Sequence, residues 1–504
     1  MDKPRKVSGR AARIAIVLGG ALFLGGCAGV GQQEQMEAFS AHWVGGDYQA
    51  AAQVTGGQPD SISESEINNL SLFELLHFAE ASRLIGNDEV AVQAFDRTEE
   101  WFRRFDEQTL AAAAAQQVSA VLVNDTVMEY RGYLYEAILA NSYKGMSFLA
   151  MGNAELARVE FNRADERTRR ALAYFSDELE AEQRALAQQE GRREQAQAVQ
   201  ASMRNPGTRQ ALRESYGDPN RWAAYPDFVN PFATHLHGLH FMASGASSQD
   251  IERAVASFER VAGMTGNVVA AADQELAEQI AKGELQRAAL PGLIWVVYEN
   301  GVGPHLVEDR IDLPLVLLTG GRQGTPFYTG IALPRLTGGQ SATAAITVSD
   351  SAGNQVRTGR LAEMERVMNT EFKARFNGIL FRSMTSAVVK MYMQAAVSEE
   401  FGDVGGLLSG IVAAATTQAD TRSWRALPNE WQIARLQQPA DRVLSVSGLS
   451  GGQLQIAMPD WPMTMVYIKQ PGATAMPVVR LIDLSGRNRA INPMLDTQVA
   501  GASQ

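Results

Sequence analysis

The chain holds a single cysteine, Cys27, in 504 residues, so no intrachain disulfide can staple its fold. Stability has to come from burial, and a chain of this length can bury large cores, with two to four domains as the expectation. Long apolar runs are also missing. The longest, Ile14 to Gly26, is thirteen residues, short of the ~20 that span a bilayer as a helix. No later segment reaches 18 consecutive apolar residues, so the rest of the chain is expected to be soluble. Excess positive charge is absent as well. Residues 1–26 carry five basic side chains and one acid, which leaves 40 Lys+Arg against 55 Asp+Glu beyond them, a net charge of −15. That balance argues against nucleic acid or an anionic lipid surface as the main partner. There are only six histidines, and the last is His305. No G-x-x-x-x-G-K-[ST] loop occurs to cradle phosphates.

What is present begins around the lone thiol. Lys3, Arg5, Lys6, Arg10 and Arg13 precede the thirteen-residue apolar run, the layout of a secretory signal. The run ends Leu24-Gly25-Gly26-Cys27, which resembles the lipobox of bacterial lipoproteins. The resemblance implies a diacylglyceryl thioether on Cys27, cleavage between Gly26 and Cys27, and acylation of the new N-terminus. One acyl chain holds a protein marginally and two or more hold it stably, so such a site is an anchor. Ala28 rather than aspartate follows the cysteine, which resembles the pattern for outer-membrane sorting. The expected order is thus a signal peptide over 1–26 and a lipidated linker over 27–33, with the protein on the periplasmic face of the outer membrane.

From 34 to 290 the pattern is helical and repetitive. In IGNDEVAVQAF, Gly86 is followed by Ala91 and Phe95; in MGNAELARVEF, Gly152 by Ala157 and Phe161, at the same +5 and +9. In VGGDYQAAA, Gly46 is followed by Ala51, and GASSQDIERAVASF keeps Gly245, Ala254 and Phe258 with four residues inserted. Each glycine follows an apolar run of helical period, so each unit reads helix, glycine turn, helix. This resembles the tetratricopeptide repeat, in which small residues let paired helices cross closely. The glycines lie 40, 66 and 93 residues apart, so the expectation is a TPR-like helical solenoid embedded in other helices. Ala154 to Gln200 contains no proline and one glycine, Gly191, and is expected to form one long helix or two nearly continuous ones, ended by Asn205-Pro206-Gly207.

The register changes at Leu290-Pro291-Gly292. Short β-rich runs follow: Leu293 to Tyr298, Leu313 to Leu318, Phe327 to Leu333 and Thr343 to Val348. Leu361 to Ser398 reads as helix with a break near Asn377-Gly378. A second β group covers Arg442 to Val446, Gln453 to Ala457, Met463 to Ile468 and Val478 to Ile482. Residues 291–490 are therefore expected to form an α+β domain, one sheet or sandwich with two or three helices against it, followed by a tail over 491–504.

Catalytic signatures fare poorly. Gly448-Leu449-Ser450-Gly451-Gly452 matches G-x-S-x-G, but no histidine follows it and it joins two strands, which makes it a hairpin turn. In His235-x-His237-x-x-His240 only the last two share a helix face, so the three are expected at half-buried positions of a repeat. Ser386 and Lys390 are four apart, not the three of an S-x-x-K box. Gly402 to Thr417 is small and apolar with Gly406 and Gly410 in GxxxG spacing, which suits a tightly packed helix. In Asp420-Thr421-Arg422-Ser423-Trp424, the aspartate and arginine are expected to tie a turn that the tryptophan anchors.

NDTVMEYRGYLYEAILANSYKGMSFLAMGNAELARVEFNRA (124–164), YENGVGPHLVEDRIDLP (298–314) and ADTRSWRALP (419–428) together resemble an uncharacterised family of Gram-negative outer-membrane lipoproteins with TPR-like N-terminal repeats. The resemblance implies a scaffold of the cell envelope, without cofactor, metal or catalytic residues to carry over. Its implied partners are other envelope proteins or lipoproteins, including ones linked to peptidoglycan synthesis. The alternatives are an enzyme acting on envelope polymer through carboxylates, or a subunit of a secretion or surface-appendage complex.

Overall fold

The computed structural model describes residues 31–115, 129–188, 193–287, 290, 292–319, 322–323, 326–415 and 418–493. The N-terminal region is helical. α1 covers residues 31–45, followed by α2 (Tyr48–Thr55), α3 (Glu64–Asn69), α4 (Leu72–Leu84), α5 (Asp88–Ala115), α6 (Leu134–Ala150) and α7 (Ala154–Gln188). Then come α8 (Arg193–Arg204), α9 (Pro206–Tyr216), α10 (Pro231–Ser244), α11 (Ser248–Thr265) and α12 (Val268–Ala281). The stretch read as one long helix or two nearly continuous ones is α7 and α8.

Three of the helix pairs share one turn, built from backbone chemistry. Gly46, Gly86 and Gly152 all sit at positive φ (80°, 88° and 77°), where a side chain would be strained. The next residue, Asp47, Asn87 or Asn153, donates its N–H back across the turn to the carbonyl five residues earlier, as in a Schellman closure. The same residue caps the second helix, its side-chain oxygen accepting the N–H of Ala50, Val90 or Leu156. Ala51, Ala91, Ala157 and Ala254 are completely buried where the helices cross, and Phe95, Phe161 and Phe258 fill the adjoining space. The fourth turn differs: Gly245 keeps a negative φ of −59°, and Ser247 with Asp250 forms a capping box instead.

The C-terminal region contains the sheets. β1 (Leu293–Asn300), β2 (Leu306–Leu315), β3 (Leu318–Thr319), β4 (Arg322–Gln323), β5 (Phe327–Leu336), β6 (Thr347–Ser349), β7 (Gln355–Arg357) and β8 (Gly359–Glu363) precede α13 (Met364–Ala415). β9 (Glu430–Gln437), β10 (Val443–Leu449), β11 (Gly452–Ala457), β12 (Met463–Gln470) and β13 (Val478–Asp483) follow it. A five-stranded sheet has the order β13-β12-β1-β9-β8, and a four-stranded sheet the order β11-β10-β6-β7. The central strand β1 pairs parallel with β12 and antiparallel with β9.

Period-2 alternation explains how the layers stack. Ile294, Val296 and Tyr298 of β1, with Val466 and Ile468 of β12, pack on Val348, Leu444, Val446 and Ile456 of the four-stranded sheet. Trp295 and Val297, with Met465 and Tyr467, point the other way, into a core shared with α1, α4, α6 and α10. The five-stranded sheet is thus covered on both faces, and all eight residues of β1 are buried. The first helices of the four pairs are capped by the chain's own sheet. A separate core joins the β2–β5 ribbon to α8, α9 and the first half of α13.

The helical expectation for 361–398 holds, but α13 runs without interruption through Asn377 and Gly378 and on to Ala415. A glycine inside a helix costs only about 1 kcal/mol relative to alanine, too little to break one with packed neighbours. Strand β9 lies outside the expected β runs, because its EWQIARLQ sequence is too rich in polar residues to read as an interior strand.

Candidate functional site

Two places concentrate chemistry. The first is the seam between helices and sheet. Glu80 and Arg83 of α4, Glu299 of β1 and Lys469 of β12 are all wholly buried. Arg83 donates from Nε and Nη2 to the two oxygens of Glu80 at 2.7 and 2.8 Å, and from Nη2 to the Tyr467 hydroxyl at 2.7 Å. Lys469 Nζ donates to Glu299 Oε2 at 2.7 Å and to the Ala426 carbonyl at 3.0 Å. Trp431 Nε1 donates to the other Glu299 oxygen at 2.9 Å. Burial works against ionisation of Glu299, but Lys469 and Arg83 outweigh it and hold its carboxyl below the usual range.

Residues 418–429 form a wedge in this seam. As expected, Arg422 grips Asp420 through Nε and Nη2 at 2.9 and 2.7 Å, and Trp424 is buried between Phe95 and Tyr143. The Trp424 N–H donates to Glu136 Oε1 at 2.7 Å, and the Arg425 N–H to His77 Nε2 at 3.0 Å. His77 Nδ1 therefore carries the proton and donates it to the Phe73 carbonyl at 2.7 Å. Burial pushes the His77 pKa down to about 3 and that of Glu136 up to about 7.

The other singled-out residues are dispersed. His235 meets Asp273 at 2.9 Å, His237 meets Ser257, and His240 meets Ser244. All three are buried rather than half-buried. Asp273 also accepts from Trp295 and Arg435, a tie between α12 and the sheet that local spacing could not reveal. Among the described residues no group of His, Cys, Asp and Glu is arranged to hold a metal ion. Ser450 lies in the β10–β11 hairpin turn and donates to the Ala475 carbonyl at 2.8 Å. Ser386 and Lys390 lie a turn apart on α13. Gly26 and Cys27 lie outside the described residues, as does the 494–504 part of the tail. Among the described residues no helix is long and apolar enough to cross a membrane.

The second place is open. A cleft of about 580 Å³ lies between α5, the turn at 129–133 and α7. Phe102 and Phe105 of α5 and Tyr133 form its apolar floor. Six arginines line it, at 103, 131, 163, 167, 170 and 375, against the acids Glu99, Asp106 and Glu166. Arg167 is locked, donating to both oxygens of Glu99 at 2.9 Å and to Asn141 at 3.0 Å. Arg131 lies over the Phe105 ring at 5.6 Å and Arg375 over Tyr133 at 5.2 Å. Burial raises the Asp106 carboxyl, partly offset by Arg167. No sequence signal marked this cleft, because its arginines come from four separate segments.

No protein-family model, curated protein or solved structure matches the chain. A functional reading therefore rests on its own residues.

Proposed function

We propose that the protein is a lipid-anchored scaffold of the cell envelope that binds partner proteins through TPR-like helix pairs, and that it is not a catalyst. The anchor is Cys27, acylated after cleavage at Gly26, with Ala28 directing the protein to the periplasmic face of the outer membrane. The repeated turn at Gly46, Gly86 and Gly152, with its buried alanine and phenylalanine partners, supports the TPR-like reading. The observation that carries the binding reading is where the charged groups lie. The seam carboxylates, ammonium and guanidinium are sunk and paired with one another, while the cleft between second helices α5 and α7 is open, with the Arg163–Glu160, Arg167–Glu99 and Arg170–Glu166 pairs along it.

The inner, first-helix face that repeat proteins of this kind offer to peptides is filled here by Lys469, Tyr467 and Trp424 of the same chain. Partner binding is accordingly assigned to the outer side of the helix pairs. An anchor raises local concentration near other envelope proteins, so modest contacts suffice.

The test is crosslinking in intact cells with a C-terminal tag, comparing the natural chain with Cys27→Ala. A small set of envelope proteins recovered with the natural chain and lost with the variant is expected. Recovery of no specific protein with either form overturns the scaffold reading.

A further inference from the structure

We infer that the free edge of β11 (Gly452–Ala457) takes up an extended, uncharged segment of a partner protein as an added antiparallel strand, with apolar side chains beside Leu454 and Ile456 and small polar ones beside Gln455. This goes beyond the scaffold reading, which places partners on the helix pairs, and stands independently of it.

The hydrogen-bond phase of the strand is the first ground. β11 pairs with β10 in the register Leu444↔Ile456 and Ser445↔Gln455, and the Met458 N–H continues that ladder by donating to the Arg442 carbonyl at 2.7 Å. Bonded and non-bonded pairs alternate along an antiparallel ladder. Leu454 and Ile456 therefore turn their N–H and C=O groups to β10, and Gln455 and Ala457 turn theirs away from it. Among the described residues no other element bonds those outward backbone groups.

The treatment of the other edges is the second. β13 is capped by a two-way bond between Leu481 and Ile491, at 2.8 and 3.0 Å. β8 is bulged between Arg360 and Ala362, and its Arg360 carbonyl accepts from Asn267 Nδ2 at 2.8 Å. β7 is three residues long and ends on Arg357. The β2–β5 ribbon carries Glu308, Asp309, Arg310 and Asp312 on one strand and Pro334 with Arg335 on the other. Charge, proline, bulges and short length are the devices that keep strand edges from pairing. The GQLQIA sequence of β11 has no charge and no proline, and the irregularity in its ladder lies on β10, between Val446 and Leu449.

Size and charge decide the occupant. An edge of six residues is about 20 Å long, too little to bury the ~800 Å² per partner of a standard interface between two folded copies. Two copies, each at net −15 beyond residue 26, also repel one another. An extended segment needs less, because strand addition draws affinity from main-chain bonds and specificity from alternate side chains. Leu454 is half-buried on the rim of the core between the two sheets, so its neighbour in an added strand is apolar. At the turn end of β11 the exposed Met476 offers a soft apolar contact, its Sδ 3.6 Å from where a Cβ on Gly451 would stand.

The experiment uses the full chain in detergent and a short fluorescent peptide of alternating Thr and Val with an uncharged solubilising tail. Saturable binding that added salt leaves unchanged is expected. Directly opposed residues share a face, so Val lies beside Leu454 and Ile456, and the Thr backbone meets the outward groups of Gln455. Methylating the Thr nitrogens should abolish binding, and methylating the Val nitrogens should leave it intact. Gln455→Pro removes one outward N–H and keeps the ladder to β10, so it is expected to weaken binding about tenfold. Gln455→Thr is expected to bind as the natural chain does. Equal binding of the two methylated peptides overturns the added strand on the natural chain alone, as does no binding of the unmodified peptide. Undiminished binding by Gln455→Pro overturns the assignment to β11. Sedimentation of the chain without peptide tests the other occupant: a dimer that Gln455→Pro dissociates overturns the partner segment in favour of a second copy. The crosslinking experiment reports on the scaffold separately, so either reading can fail without the other.

Discussion

Lys469 Nζ lies 2.7 Å from Glu299 Oε2, on adjacent parallel strands, with neither side chain exposed to water. Arg83 and Glu80 complete the cluster from α4, so a charge-neutral set of four is sealed between helices and sheet. Removing one member of a buried pair leaves an uncompensated charge. Lys469→Met is expected to cost about 3–5 kcal/mol. Lys469→Met/Glu299→Gln should cost less than the sum of the two single changes. Urea unfolding measures both, and a loss below about 1 kcal/mol for Lys469→Met would show that the pair is dispensable.

The helix pairs cross so closely that two first-helix glycines touch the phenylalanine of the second helix. A Cβ on Gly145 would come within 2.7 Å of the Phe161 ring, and one on Gly238 within 2.6 Å of Phe258. Gly145→Ala and Gly238→Ala should each destabilise by about 1–3 kcal/mol through overpacking. Gly263, in α11 with open space around it, is the control: Gly263→Ala should stabilise by about 0.5–1 kcal/mol. Thermal unfolding of the three variants gives the signs directly.

The wedge is expected to be held mainly by one ring. Trp424→Ala empties the space between Phe95 and Tyr143 and should cost about 3–5 kcal/mol. Hydrogen exchange should then quicken at Arg425 N–H, which is donated to His77. Unchanged protection there would mean that the backbone bonds, not the indole, fix the segment.

Stability should fall on mild acidification. Burial lowers His77 and His240 to about 3 and His237 to about 4, so each binds fewer protons folded than unfolded. Their contribution is complete above the unfolded value near 6.5 and drains away as pH falls towards 3–4. Glu136 acts oppositely: with its pKa raised to about 7, it favours the fold at low pH and loses that contribution as pH rises through 7. Three groups outweigh one, so the urea midpoint should drop between pH 7 and pH 5. His240→Leu should flatten that slope by about 1.4 kcal/mol per pH unit at most, and Glu136→Gln should steepen it. A slope unaffected by either change contradicts the assignment.

How much of this was legible depended on the range of each interaction. The +5 and +9 spacing located the helix pairs because Ala91 and Phe95, or Ala157 and Phe161, act within one unit. The aspartate or asparagine after each glycine carries the capping signal too, at a position that the +5 and +9 spacing does not mark. The cover of the sheet over α4 was not legible, since Glu80 and Lys469 stand 389 residues apart and neither has a local pattern. β9 was hidden by its polar residues, whose partners lie on other strands: Glu430 meets Asn300 and Trp431 meets Glu299. The cleft escaped because Arg131, Arg167 and Arg375 belong to segments that meet only in three dimensions.

The wedge at 418–429 and the strands after it also set a clock. The inner faces of α4 and α6 obtain their cover only when residues through Asp483 exist, some two hundred positions after α12 ends. At ~5–20 residues per second, synthesis takes roughly 10–40 s to bridge that gap. For nearly all of it Glu80 lacks Lys469 and Arg83 lacks Tyr467. The nascent helices thus lack, for that interval, the contacts that would lock them early.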